Sequence, residues 1–309
     1  MIHYYLRTIH DERLRKIPEY QVGCLIYCEE PTADNLNFLK NKFSLNESLL
    51  QDALDIYELP RIEEDDGKVY IFLRASTLNN GSDEKRNFTL PILIVISNEF
   101  LLFFSKEKVD FLKSFLKEDK LIFTTQRTRL LFKIISKIIE IFHQNLLKVN
   151  KDIKRVIFDR NIEEEEIKQL IKYEFIVEDF LNNLIGIRLV IESLLEKRYL
   201  NLFLADKKLI EDLKLDIRQL EEMAKSSVKN IVNIREGHEI IFTNVVNKTI
   251  KILTAYTIIV SIPTIIASFY GMNVKLPLGD YPPSFFIILM FSFLLMGILY
   301  FIFKLKKWL

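Results

Sequence analysis

Cysteine is scarce in this sequence: 309 residues hold two, Cys24 and Cys28. Two thiols four apart in an apolar, strand-like run are too few for a disulfide framework or a zinc cluster. Alternation puts both on one face of a strand, as core residues. Histidine is sparse too, with His3, His10, His143 and His238 scattered along the chain. The eight glycines form no phosphate-cradling loop, and no nucleophile stands near a base in a catalytic spacing. The chain is therefore not expected to be an enzyme. Charge of one sign is missing as well: 43 basic and 42 acidic residues leave a net +1, which argues against nucleic acid as a partner. Behind Met1 come His3, Arg7 and His10 rather than the apolar core of a signal peptide. The N-terminal region is expected to stay in the cytoplasm.

What the sequence does have is two long uncharged runs near its end. No charged side chain occurs from Ile252 to Met272, and none from Phe285 to Phe303. Each is long enough to cross a bilayer as a helix, which takes about 18–20 residues. The short segment between them carries Pro277, Gly279, Pro282 and Pro283, so the two spans form a hairpin. Lys248 and Lys251 precede the first span, and Lys304, Lys306 and Lys307 follow the second. The intervening loop has only Lys275, opposed by Asp280. By the bias of basic residues, both termini are expected in the cytoplasm and the loop outside.

Upstream, residues 1–125 mix short β-rich runs with amphipathic stretches and predict a cytoplasmic α/β domain. Its strands are expected at Ile2–Leu6, Val22–Tyr27, Val69–Leu73, Pro91–Ile96 and Leu101–Phe104. Helices are expected at Asp34–Phe43, Glu47–Leu54 and Val109–Lys117, and a turn at Asn79–Asp83. A helical hairpin follows over 126–204, with an acidic tip at Glu163–Glu166 that also suits a solvated helix N-terminus. From 205 to 251 an apolar stripe (Leu209, Leu213, Ile217, Leu220, Ala224, Val228, Ile231, Ile234, Ile241, Val245) steps by three or four. It predicts a stalk helix that runs straight into the first span and packs on copies of itself. His238 lies in the stripe as a packed neutral side chain, and Gly237 beside it weakens the helix locally. The first span is expected at 252–272, an external loop at 273–284, the second span at 285–303 and a basic tail at 304–309. The whole is an α+β membrane protein.

Tyr270-Gly271-Met272-Asn273 closes the first span, and Lys306-Lys307-Trp308-Leu309 closes the chain. The soluble part holds Leu50-Gln51-Asp52-Ala53-Leu54, then Pro60-Arg61-Ile62-Glu63, then Val69 to Arg74. In this order and spacing the segments resemble the CorA-type magnesium transporter family, over roughly residues 49–107 and 205–309. An ordinary helix stop and polar loop would account for the tripeptide taken alone. The resemblance implies a homopentamer in a plasma or inner membrane whose first spans line a pore for Mg²⁺, with Co²⁺ and Ni²⁺ as similar hydrated ions. It implies a selectivity filter at Gly271, Met272 and Asn273, polar pore positions at Asn273, Thr264 and Asn247, and an apolar constriction at Ile250 and Leu253. Counted back from Asn273 by helical intervals, Tyr270 comes first, and Ser261, Thr257 and Thr254 share the helical steps of Thr264. Ser261 is expected to line the pore, although Ser and Thr also bond their own helix carbonyls. It further implies regulatory Mg²⁺ between subunits at Asp52 and Glu236, with Asp212 as a second stalk ligand; solvated surface acids would read the same way.

Three departures stand out. Lys275-Leu276-Pro277-Leu278 replaces the family's Met-Pro-Glu-Leu, Pro263 lies one position nearer the tripeptide, and Gln51 replaces a glutamate. The competing expectations are a transporter of another divalent ion, of the ZntB zinc type, and a membrane-anchored scaffold that conducts nothing. Met272 disfavours the former, since the ZntB tripeptide usually differs there. Polar residues along the first span disfavour the latter.

Overall fold

The structure, a computed structural model, describes residues 2–77, 88–109, 111–112, 115–116, 122–158, 164–196, 199–200, 202, 204–277 and 282–309. The expected turn at Asn79–Asp83, Lys117 at the end of the third expected helix, Glu163 of the acidic tip, and Gly279 and Asp280 lie outside them. The chain divides into two units, Met1–Val232 and Asn233–Leu309.

The first unit is built on seven strands: β1 (Ile2–Leu6), β2 (Arg15–Ile17), β3 (Leu25–Glu29), β4 (Arg61–Asp65), β5 (Lys68–Ser76), β6 (Thr89–Ile96) and β7 (Leu101–Ser105). They form one sheet in the order β2-β1-β3-β7-β6-β5-β4. All pairs are antiparallel except β3 with β7, where Leu25 faces Leu101 and Cys28 faces Phe104. β3, β5, β6 and β7 are apolar nearly throughout because both their faces are covered. On one face Ile26, Tyr70, Phe72, Leu93, Leu102 and Phe104 join Cys24 and Cys28 in a single core cluster. On the other, Tyr27, Ile71, Leu73, Ile94 and Phe103 are equally buried. The cysteines are core residues, as their spacing predicts. Burial pushes the Cys28 thiol up to about 11, so it stays protonated at neutral pH.

Five of the strands coincide with expected ones, within a few residues at the ends. β2 and β4 are additional. Both are edge strands, short and polar, so no apolar alternation marks them. For β4 a signal existed: Asp66 and Gly67 sit at φ 47° and 68° between β4 and β5, a two-residue hairpin turn.

The helices of this unit follow their capping chemistry. α1 (Ala33–Phe43) starts at Thr32, whose hydroxyl accepts from the Asn35 amide while the Asn35 side chain accepts from the Thr32 amide. α2 (Glu47–Asp52) starts at Asn46, which accepts from the Ser48 amide at 2.9 Å. The Asn46 amide donates to the Tyr70 hydroxyl at 3.0 Å, so the Leu50–Asp52 segment is pinned to β5. Two long helices follow, α3 (Arg127–Phe158) and α4 (Glu164–Leu195). They are the arms of the expected hairpin; α3 packs on β5 and β6, and α4 on β4 and β5.

A buried polar knot fastens them. The Arg74 guanidinium donates to the carbonyls of Ile56 and Glu58 at 2.8 Å each and to the Thr89 hydroxyl at 2.9 Å. That hydroxyl in turn donates to Asp179 of α4, and Asn145 of α3 donates to Ser76 at 2.7 Å. Burial lowers the pKa of Arg74, opposed by the charges of Asp179 and Asp55. α4 also comes close at Gly186, where a Cβ would lie 2.9 Å from the Pro60 ring.

α5 (Leu204–Tyr270) is one helix of 67 residues that continues through Pro263. Within the first unit the stripe is buried at Leu213, Ile217, Leu220, Ala224 and Ile231, and at its start Ile210 is buried where Leu209 is expected. Ion pairs flank the stripe: Arg188 of α4 meets Glu221 at 2.8 Å, and Glu192 of α4 meets Lys214 at 3.0 Å.

The second unit consists of the rest of α5 and α6 (Ser284–Leu305), with the segment between them. Both helices are long and apolar enough to span a membrane, and they are not core helices. Phe286, Met290 and Phe293 of α6 are 71%, 78% and 61% exposed, a surface that only a nonpolar medium or a further chain would cover.

Candidate functional site

The residues singled out along the first span all lie on α5 or just past its end. At about 100° per residue, Leu253, Thr264, Thr257, Ile250, Ser261, Thr254 and Asn247 fall within an arc of roughly 120°. On the opposite side of the helix lie Ala255 and Ile259, which with Ser292 of α6 are the buried residues described in this unit. The polar stripe is therefore on the face that the unit leaves open.

The open face separates into two kinds of polar group. Thr257 and Ser261 turn back on their own helix, donating to the carbonyls of Leu253 at 2.9 Å and Ile258 at 2.8 Å. Asn247, Thr254 and Thr264 are exposed and make no side-chain hydrogen bond to a described residue. Ser268, which sequence reasoning passed over, shares the arc and is equally exposed and unbonded among the described residues. Its place seven residues beyond Ser261, two turns on, was the available signal. Ile250 and Leu253 are 55% and 66% exposed on the same arc, apolar between polar neighbours.

At the end of α5 the chain turns without a left-handed residue. The Gly271 amide donates to Ala267 O at 2.9 Å and the Met272 amide to Phe269 O at 3.2 Å. A Cβ on Gly271 would meet only the carbonyls of Ala267 and Ser268, at 3.4 and 3.6 Å. The Tyr270 hydroxyl lies 3.4 Å from Pro277 O, so the segment carrying the tripeptide folds back to the helix end. Asn273 is exposed, and its amide has no partner among the described residues. Its carbonyl can accept hydrogen bonds from outside the chain.

The acids named for regulation stand apart. Asp52, at the end of α2, is paired with Arg61 of β4 at 2.8 Å. Arg61 also pairs with Glu58 and, at 2.6 Å, with Glu63, and its guanidinium lies 4.0 Å from the Phe72 ring centre. Sequence reasoning missed this partner, although Arg61 sits in the quoted Pro-Arg-Ile-Glu segment among acids. Asp212 is exposed on α5, and so is Glu236, which belongs to the other unit. No group of three or more His, Cys, Asp or Glu side chains able to hold a metal occurs among the described residues.

A mixed-sheet domain, a helical hairpin and a single helix that carries a polar stripe into an apolar region, with a second apolar helix after it, define a protein with two candidate membrane spans. A model of the CorA-like Mg²⁺ transporter protein family matches residues 21–306, and the chain belongs to this family. Membership in this membrane-embedded family supports divalent-cation transport. The chain is 27% identical over 301 residues to the cobalt/magnesium transport protein CorA of Methanocaldococcus jannaschii, covering 92% of this chain and 90% of that one. Its fold matches the complete structure of the CorA magnesium transporter from that organism with a TM-score of 0.84 at 24% identity, over 100% of this chain and 99% of the other. The cytoplasmic domain of ZntB from Vibrio parahaemolyticus shares the fold at a TM-score of 0.64 and 14% identity, over 78% of this chain and 98% of that one.

Proposed function

We propose that five copies of this chain form a channel for hydrated Mg²⁺, with the open face of α5 from each copy lining the path. The observation that carries this reading is the one-sided placement of unpaired Asn247, Thr254 and Thr264 opposite buried Ala255 and Ile259. Unpaired polar groups are costly against lipid, so that face belongs toward water and other copies. One hairpin cannot enclose a path, and Ile241 and Val245, 64% and 58% exposed, continue an apolar stripe that packing on copies would cover.

Mg²⁺ gives up its water reluctantly. A ring of Asn273 carbonyl oxygens suits a hydrated ion, since it accepts hydrogen bonds from the waters and binds weakly enough to release. Gly271 and Met272 complete that filter, Ser261 and Thr264 continue the polar lining, and Ile250 with Leu253 forms the constriction. The bias of lysines at the span ends supports both termini in the cytoplasm and the loop outside, and a cation entering from the loop side then moves down the membrane potential. Co²⁺ and Ni²⁺ carry similar hydration shells and pass the same filter.

Flux of Mg²⁺, Co²⁺ and Zn²⁺ into proteoliposomes of the purified full chain tests the reading. Mg²⁺ and Co²⁺ are expected to enter and Zn²⁺ to lag. Dominant Zn²⁺ flux would assign the chain a zinc task, and no flux of any divalent ion would leave a scaffold.

Cytoplasmic Mg²⁺ is proposed to close this channel by bridging Asp52 of one copy to Glu236 of the next; Asp212 lies on the same helix as Glu236, about 36 Å along it, so it would take a separate ion. Hard carboxylate oxygens fit Mg²⁺, and acids from two copies repel until a cation neutralises them. Arg61 already neutralises part of the Asp52 charge, so the bridging ion competes with it. Glu236→Lys is expected to keep flux low even when internal Mg²⁺ is removed. Asp52→Ala is expected to blunt Mg²⁺-dependent protection from protease. An unchanged Mg²⁺ dependence in both variants would move the sensor elsewhere.

A further inference from the structure

The last residues of the chain fold into a defined helix stop. After α6, Lys306 caps the helix and Lys307 takes a left-handed conformation at φ 56°. The Trp308 amide donates to Phe303 O at 2.9 Å and the Lys307 amide to Lys304 O at 3.1 Å, the paired bonds of a Schellman motif. The hydrophobic contact of that motif is present as well: the Trp308 ring stacks on Phe303 with centres 5.4 Å apart and planes 12° from parallel.

Glycine is the residue that reaches this left-handed position without strain. The chain instead places a lysine there, which retains a cation at a conformational cost. Lys304, Lys306 and Lys307 are all exposed, with no acidic partner among the described residues. Lys248 and Lys251, exposed on α5 just before the first apolar run, are likewise without one. Two spans return the chain to the side it left, so all five lysines emerge on one membrane face. Trp308 marks the level, since an amphipathic indole settles at the boundary between acyl chains and headgroups.

We propose that the capped end of α6 is a binding site for anionic phospholipid headgroups, with Lys304, Lys306 and Lys307 taking the phosphate and Trp308 seated beside the acyl chain. Lys248 and Lys251 of α5 add charge on the same face. Clusters of four to eight basic residues beside a span hold anionic lipid in this way. Complementing the helix dipole is the other use of terminal lysines, but it is indifferent to the lipid headgroup.

Trp308 is the single tryptophan of the chain, so its fluorescence reports on this site alone. The full-length protein is reconstituted with brominated phosphatidylglycerol or brominated phosphatidylcholine at equal mole fraction, and quenching is compared. The anionic lipid is expected to occupy the site at least about fivefold more favourably, one lysine's worth at the surface. The preference is expected to shrink with salt and to vanish in K304Q/K306Q/K307Q. Equal quenching by the two lipids, or a preference that survives in the triple variant, would overturn the proposal. So would inorganic phosphate abolishing the preference at an ionic strength where chloride does not, which would assign the site to free phosphate. None of these readings depends on ion flux, so failure here and failure of the channel reading are separate results.

Discussion

Asn273→Ala is expected to abolish divalent-cation flux in proteoliposomes while the protein still assembles and elutes as the wild type does. The substitution removes one carbonyl acceptor per copy at a place where Asn273 is exposed and bonded to no described residue. A hydrogen bond to the ion's hydration water is worth about 0.5–1.5 kcal/mol net, so each lost contact costs about two- to tenfold in ion occupancy and the losses from all copies combine. Since no internal partner is lost, the fold has nothing to forfeit at this position. Asn273→Gln separates chemistry from geometry: it keeps the amide but moves it outward, and is expected to restore only part of the flux. Wild-type flux in Asn273→Ala would remove the residue from the ion path.

Leu253→Asp is expected to leave the channel conducting at internal Mg²⁺ concentrations that shut the wild type. Leu253 is 66% exposed on the open face of α5, and Ile250 is 55% exposed on the same arc. Apolar side chains brought together around an axis close a path by excluding water, and a carboxylate keeps it wet. A ring of carboxylates also concentrates cations, by about tenfold or more in a confined path. The measurement is residual Mg²⁺ entry into vesicles preloaded with Mg²⁺, with Leu253→Ile as the conservative control. Closure as tight as in the wild type would place the constriction at another level of α5.

These two residues illustrate how unevenly the site was legible. Asn273 could be proposed from sequence because its tripeptide ends an uncharged run at a fixed place. The stripe could be counted, but counting could not separate Thr257 and Ser261, which bond their own helix, from Thr254 and Thr264, which do not. Ser268 was missed because it lies near a helix end, where polar residues are ordinary. Arg61 was missed as the partner of Asp52 because the two are nine residues apart, and only the turn from α2 into β4 brings them to 2.8 Å.

The sequence by itself determined that two helices cross a membrane, that a long helix feeds the first of them and that an α/β domain precedes both. Those features rest on composition within one segment: runs without charge, a three-to-four periodicity, or apolar runs between turn residues. Tertiary structure alone decided the strand order, with β3 and β7 parallel although 75 residues separate Leu25 from its partner Leu101, and with polar β4 closing an edge. It alone decided which side of α5 is covered and which of its polar groups lack a partner. The reason is physical. Hydropathy along a chain fixes what a segment must bury, but pairing and covering depend on what the rest of the chain brings to it.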